Sequence, residues 1–552
     1  MPTVVMDYRD LSKLLGKEFP IQELEEALFL TKCEVESIQG DEITVEVNSD
    51  RPDMLSTEGI ARNLKGFLGL ETGLPRYRLG GSKAKISVQP SVAEIRPYIV
   101  SGIVKDLNLS DEVIRQAMQL QEKLHMTYCR NRRKGSIGIY NLESIEPNLI
   151  YEGARPEEIK FIPLDENKRM SAEEILEKTQ KGRDYGHIVR GYGRYPLLRD
   201  SNGTVLSMPP IINSEDTRVS SETKHVLIDV TGTDKRLIEN VLNILVTSLA
   251  ERGGRLERVT IAYGDSTGNT PNLRCEKSEL STDLIPKMLG LTLSKKEITE
   301  CLRKMRYDVR QKTEKKLEVL VPAYRCDILH EVDLVEDVAI GYGYNRFVPE
   351  IPATTNIGRE LVKTEVTRLV RDLMAGFEFQ EVLNFTMTSK ENLFAKMNRP
   401  EEEVVEVLNP VSSEYAVMRD TLVPGLLDLL SQNRHAQYPQ RVFECGDVVK
   451  VQSREHPRSI RRLAAAICDN RASYEDAQAV VYSLLRNLGV TGWKVSPYEG
   501  GSYLEGRAAK LTLREEEIAI MGEIHPETLE RFGLNKPVAV FEITIEQMTR
   551  NE

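Results

Sequence analysis

Apolar positions along the first 76 residues change period repeatedly, and each change predicts a new element. DYRDLSKLLG and IQELEEALFL carry helical spacing, Ile43 to Val47 alternates as a strand, and DMLSTEGIARNLKGFLG returns to helix after Pro52. Gly73, Pro75 and GGSKAK then mark a linker. From about 84 to 270 short strands dominate, namely KISVQP, YIVSGIV, SIGIYN, HVLIDV and RVTIAYG, with helices such as DEVIRQAMQLQEKL between them.

The stretch from about 273 to 347 is short and well punctuated. Ile285, Met288 and Leu289 share a helical face that stops at Gly290, and Ser294 with Glu297 forms an S-x-x-E capping box for a second helix. Ile298, Cys301, Leu302 and Met305 recur at helical spacing, and RYDVR and KLEVLV alternate as paired strands. Two helices followed by a hairpin resemble a winged-helix module. The last unit opens on the amphipathic ELVKTEVTRLVRDLMAGF and continues with strand-like FQEVLNF, a helix in DTLVPGLLDLLSQN and strand-like RVFECGDVVKV. The expected fold class is a multi-domain α+β chain of four units in series, 1–76, 84–270, 273–347 and 355–552.

Length agrees, since 552 residues exceed what one core can serve. Charged residues make up 29%, and no run of about 18 apolar residues is present, so no membrane span is expected. Asp7, Arg9 and Asp10 interrupt the N-terminus, which does not read as a secretory signal, and cytoplasmic residence is the default. The seven cysteines fall singly, with neither zinc spacing nor a disulfide framework. A net charge of −11 excludes a chain that grips nucleic acid over its whole surface, so such contacts are local or shared with a partner.

The densest candidate chemistry is a carboxylate cluster in RCDILHEVDLVEDVAIGYGYN. Asp333, Glu336 and Asp337 stand at i, i+3 and i+4 on one helical face, opposite a stripe of Leu334, Val338 and Tyr342, with Asp327 in the loop upstream. Two readings remain: an acidic first turn favoured by the helix dipole, and a hard-cation site, because clustered oxygen ligands without His or Cys suit Mg²⁺. Arg130, Arg132, Arg133 and Lys134, flanked by Tyr128 and Tyr140, form the densest basic run, a solvated loop or a local guide for nucleic acid. The motifs GYGR and GYGY lack the context of a nucleotide-binding turn and read as turns.

Several ordered blocks together resemble one family. NSDRPDMLSTEGIAR, the stretch ending in GYGYN, NPVSSEYAVMRDTLVPGLLDLLSQN, RVFECGDVV and GEIHPETLERFG are similar to the phenylalanyl-tRNA synthetase beta subunit in its shorter archaeal and eukaryal form. The resemblance implies a magnesium ion on Asp327, Asp333, Glu336 and Asp337, in the small winged-helix-like domain. It implies a class II synthetase-like antiparallel-sheet domain over 355–552 that does not itself aminoacylate. Arg441-Val442-Phe443-Glu444 is misplaced for an ATP-binding motif, and nothing after Gly506-Arg507 supplies the later arginine motif. ATP and phenylalanine activation then fall to an alpha subunit, two of each chain forming a heterotetramer that acts on the tRNA for phenylalanine.

The resemblance also implies an editing domain over 84–270 that clears tyrosine wrongly attached to that tRNA. A pocket shaped for phenylalanine rejects the added hydroxyl of tyrosine only weakly, which gives a second, hydrolytic site a purpose. YPLLRDSNGTVLSMPPIINSE and HVLIDVTGTD match its pocket region and carry over Leu198, Ser207, Asp229 and Thr231 as pocket candidates, with Asp229 either accepting the tyrosine hydroxyl or orienting a water. No Ser-His-Asp or Cys-His arrangement is recognisable, which favours a held water over a covalent intermediate. The competing classes are a free-standing metal-dependent hydrolase and an interaction scaffold without chemistry.

Overall fold

The computed structural model describes residues 2–264, 266–353, 357–453 and 456–548. The expected start of the last unit, near 355, and positions 549–552 lie outside the described residues. The chain divides into two compact bodies, one ending at Glu350 and the other beginning at Ile351.

In the first body, Thr3–Asp7, Glu42–Val47 and Cys33–Gln39 form an antiparallel sheet in that order. Val4, Met6, Ile43, Val45 and Val47 are buried from alternate positions, the period-2 signature of a half-covered sheet. Helices Tyr8–Leu15, Ile21–Leu30 and Thr57–Phe67 belong to the same unit, the first capped by the Asp7 carboxylate and stopped by Gly16 in the left-handed region.

A ten-stranded mixed sheet follows. Its path runs Ile212–Asn213, Val205–Met208, Tyr195–Asp200, Asn148–Ala154, Leu79–Val88, Arg255–Tyr263, Tyr98–Lys105, Val226–Gly232 and Gly135–Asn141, with Ser266–Thr270 pairing off it. The Val226–Gly232 strand is buried throughout and serves two cores. Val226, Ile228 and Val230 join a cluster with helices Asp111–Met126 and Lys235–Glu251, while Leu227 joins another with Tyr140, Tyr151 and Leu198. Alternation therefore sends Asp229 and Thr231 to the Leu227 side.

The third sheet, Glu276–Ser281, Lys316–Val321 and Asp308–Gln311, is antiparallel and packs with helices Leu284–Leu289, Lys295–Lys304 and Glu331–Tyr342. The Ser294 and Glu297 capping box forms, and Ile298, Cys301, Leu302 and Met305 are buried. Met288, expected on the buried face with Ile285, is 52% exposed. GYGY is not wholly a turn: Gly341 and Tyr342 complete the Glu331–Tyr342 helix, and the chain turns only at Gly343. Gly341 is needed there, because a Cβ would stand 2.3 Å from the Cys301 carbonyl oxygen of the crossing helix.

The second body is built on a seven-stranded sheet, antiparallel except where Gln380–Glu381 runs parallel to Gln440–Ser453. Val362–Gly376 and Tyr474–Asn487 cover one face, Val423–Gln432 the other. Of the expected strand FQEVLNF only Gln380–Glu381 pairs. Beyond it Val382 still donates its amide to the Phe443 carbonyl at 2.8 Å, and Phe379 is buried, but Leu383 and Phe385 are 80% and 74% exposed and face outward instead of into a core.

Candidate functional site

A cavity of about 560 Å³ opens where the Gly135–Asn141 and Val205–Met208 strands, the Asp111–Met126 helix and the 209–219 segment meet. Ser207 and Asp229 line it, together with Gly138, Tyr140, Glu122 and Arg132. Asp229 is paired directly opposite Gly138, and the Tyr140 ring folds back along its own strand across that glycine. A Cβ on Gly138 would lie 2.0 Å from the Tyr140 hydroxyl and 2.5 Å from Asp229 Oδ1, so glycine leaves the space in which the two groups meet.

The Tyr140 hydroxyl stands 2.5 Å from Asp229 Oδ1 and 2.7 Å from Ser207 Oγ. With one proton to give, the phenol donates to the carboxyl and accepts from the Ser207 hydroxyl. Burial pushes the Asp229 carboxyl up to about 7, against the Tyr140 hydrogen bond and the charge of Arg96, which both favour ionisation. An acceptor balanced near neutrality thus faces a cavity large enough for an aromatic side chain.

The other two candidates lie behind this wall. Leu198 is fully buried, pairs across the ladder with Ser207 and packs in the apolar cluster that holds Tyr140 and Tyr151; it does not line the cavity. Thr231 is fully buried too, with its hydroxyl accepting from Arg96 Nε at 2.9 Å. Arg96 in turn donates to the Thr231, Arg132 and Arg133 carbonyls, which clamps a loop whose residues Arg130, Asn131 and Arg132 all hold left-handed backbone. Each such residue is disfavoured by roughly 1–2 kcal/mol, and the clamp offsets that strain. The loop sends Arg132 into the wall, where it donates to the Pro210 and Ile211 carbonyls and to Glu122 at 2.7 Å. The basic run is therefore not uniformly solvated: Arg130 and Arg133 are exposed, while Arg132 is a buried strut.

Sequence reasoning named Tyr140 only as a flank of the basic run and missed Gly138, Arg96 and Glu122. The signal was present in SIGIYN, where a glycine inside a strand pattern marks a close approach.

The carboxylate cluster is arranged differently from expectation. Asp333 Oδ2 accepts from the Leu329 and His330 amides, both at 2.7 Å, and so caps the helix. Glu336 pairs with Lys32 at 2.9 Å. Asp327 and Asp337 both receive Arg325, at 2.6 and 2.7 Å, and Asp337 also accepts from the Tyr307 hydroxyl. Asp337 is 1% exposed, on the buried side, because its partners are buried as well. Among the described residues no group of three or more His, Cys, Asp or Glu side chains stands together to hold a metal.

Asp327, Asp333, Glu336 and Asp337, the residues expected to hold magnesium, stand here in an ion-pair network, and an ion would have to displace Arg325 and Lys32. The donor set does not fit one shared ion, even though Asp337 Oδ1 is buried without a partner. Adding magnesium to the chelator-treated chain is expected to leave its melting temperature unmoved. An ion present at 100 times its Kd would add about 2.7 kcal/mol, so a clear upward shift contradicts this assignment.

The NSDRPDM block completes the network. Arg51 chelates Asp53 through Nε and Nη2, at 2.8 and 2.9 Å, and its charge helps hold Asp327 ionised, while Arg62 stacks on the Tyr324 ring at 3.6 Å. Two blocks almost 275 residues apart, on a count of 327 minus 53, are therefore one buried electrostatic unit.

Comparison with known proteins agrees with this architecture. Residues 111–262 match the B3/4 domain, 278–344 the tRNA synthetase B5 domain, and 348–545 the phenylalanyl tRNA synthetase beta chain CLM domain. The phenylalanine–tRNA ligase beta subunit of Pyrococcus furiosus is 42% identical, with 100% of each chain covered, and that of Archaeoglobus fulgidus 41% identical, with 99% of this chain and 98% of the relative covered. A crystal structure of an N-terminal fragment of the phenylalanyl-tRNA synthetase beta subunit from Pyrococcus horikoshii superposes with a TM-score of 0.60 at 42% identity, covering 62% of this chain and 99% of that one. The chain belongs to the phenylalanine–tRNA ligase beta-subunit family.

Proposed function

We propose that this chain works in the cytoplasm as the beta subunit of a two-plus-two heterotetramer that attaches phenylalanine to its tRNA, and that the cavity at Asp229 hydrolyses tyrosine misattached to that tRNA. One observation carries the editing reading: a buried carboxyl, balanced near neutrality, on a cavity of about 560 Å³. Oδ1 is engaged by Tyr140, and no donor among the described residues reaches Oδ2. That free oxygen accepts the phenol of a tyrosyl group. A phenylalanyl group leaves it unpaired, and a polar site left unpaired in this way rejects the analogue lacking the hydroxyl.

The hydrolysis then needs only a water. Its oxygen bonds to the ester carbonyl carbon, the bond from that carbon to the ribose oxygen breaks, and the proton ends on the ribose oxygen. Ser207 is a poor nucleophile here, since its hydroxyl is directed to Tyr140, a neutral phenol and not a base.

Activation of phenylalanine is assigned to the alpha subunit. In the second body Glu444, which would have to serve an ATP-binding motif, is instead 1% exposed and paired with Arg419 at 2.7 Å. Docking of the partner is supported by the exposed apolar surface of that body. Leu383, Phe385, Leu408 and Val411 are 74–106% exposed, and Phe385 packs edge-on against Tyr415 with ring centroids 5.4 Å apart.

The chain alone is expected to catalyse no phenylalanine-dependent pyrophosphate exchange, and its mixture with the alpha chain to catalyse it. Leu383→Ser with Phe385→Ser should weaken that assembly by at least about 2 kcal/mol, roughly thirtyfold in Kd by sedimentation. Exchange by the chain alone contradicts the assignment, and unchanged affinity removes the patch from the interface.

A further inference from the structure

We propose that Tyr140 is the positioning residue of the editing site: it fixes Asp229 in the one orientation that leaves Oδ2 open to the substrate's ring hydroxyl. The inference rests on the editing reading above and adds to it a residue and a reason for its selectivity.

The geometry is over-determined. Tyr140 is 1% exposed, its ring is held in the cluster with Tyr151 and Leu198, and its hydroxyl is fixed from both sides by Asp229 and Ser207. A carboxyl bound through Oδ1 to a rigid phenol cannot turn about its terminal bond without breaking that hydrogen bond, so Oδ2 keeps one direction. Gly138 makes the arrangement possible, because any side chain there meets both partners. Ser207 acts on Asp229 only through Tyr140, which gives the serine a role without making it a nucleophile.

The titratable and charged groups facing Asp229 are few. Tyr140 comes from the Gly135–Asn141 strand, Tyr151 from Asn148–Ala154, and Arg96 from the segment ahead of Tyr98–Lys105. Glu122 and Arg132, on the cavity wall, are occupied with each other. Of these neighbours only Tyr140 hydrogen-bonds the carboxyl, so its removal raises the proton affinity of Asp229. A rise of about one unit leaves roughly fivefold fewer ionised carboxyls at the old midpoint and roughly tenfold fewer well below it.

The test is made on the complex reconstituted with its alpha chain, using tRNA for phenylalanine charged with tyrosine, for the wild type, Tyr140→Phe, Asp229→Asn and the double variant. Deacylation is followed from about pH 6 to 9, with thermal melting as the check on folding. Tyr140→Phe keeps the ring. It is expected to hydrolyse about fivefold more slowly near pH 7 and about tenfold more slowly near pH 6, with its rising limb moved about one unit higher and much of the rate regained there.

In the Asp229→Asn background Tyr140→Phe is expected to add little further loss, because it acts through the carboxyl. A merely structural tyrosine would lower the rate equally at every pH and in both backgrounds, which overturns the proposal. So does a Tyr140→Phe variant with wild-type rate and limb, a result that leaves the editing reading standing. If the wild-type complex itself leaves tyrosyl-tRNA intact, the editing reading fails and the proposal falls with it.

Discussion

Arg325→Leu is expected to destabilise the first body by about 3–5 kcal/mol, the loss that follows when one partner of a buried ion pair is removed and the others stay behind as uncompensated charges. Among the described residues Arg325 alone pairs with both Asp327 and Asp337, and the three side chains are 2%, 7% and 1% exposed. Arg325→Lys should recover only part of the loss, since one ammonium cannot reproduce a fork that grips Asp327 through both oxygens and still reaches Asp337. Hydrogen exchange of the Glu331–Tyr342 helix amides gives the measurement. A change below about 1 kcal/mol would mean that the network contributes little beyond an exposed pair.

The same network carries a pH signature. Burial alone pushes the Asp327 carboxyl up, but Arg325 and then Arg51 outweigh it and bring it down to about 2, from an ordinary value of 3.8. A depressed folded value means that the contribution is fully present above the ordinary value and is lost as pH falls from about 4 through 2. The wild type is therefore expected to lose the Arg325-dependent part of its stability across that window, and Arg325→Leu to show a flatter acid limb.

Much of the fold was legible because local rules and tertiary structure agree. The Ser294 and Glu297 cap and the alternation in Ile43 to Val47 are each decided within a few residues of chain. FQEVLNF fell short because alternation reports a strand's amphipathicity and not how far a neighbour continues to pair with it; beyond Val382 the apolar side chains of Leu383 and Phe385 face outward.

The sites show the same divide. Ser207 and Asp229 were reached through the family resemblance alone, and the residue that joins them, Tyr140, lies 67 and 89 positions away and is brought in by strand order. The partners of the carboxylates were hidden for a related reason. Helical spacing placed Asp333, Glu336 and Asp337 on one face, but it carried no information about Arg325 folding back from the loop, Lys32 arriving from the N-terminal unit, or the two backbone amides that Asp333 caps.

Asp229→Ala in the assembled enzyme is expected to slow hydrolysis of tyrosyl-tRNA by about a hundredfold, the worth of a lost hydrogen bond to a charged group. Phenylalanine charging should be kept, because the cavity lies within a different body of the chain from the sheet of the synthetase-like domain. The decisive measurement is the rate at which the reconstituted complex releases tyrosine from mischarged tRNA, wild type against Asp229→Ala. Rapid release by the wild type with that loss in the variant is the predicted result, and equal rates in the two would contradict the assignment of editing to this cavity.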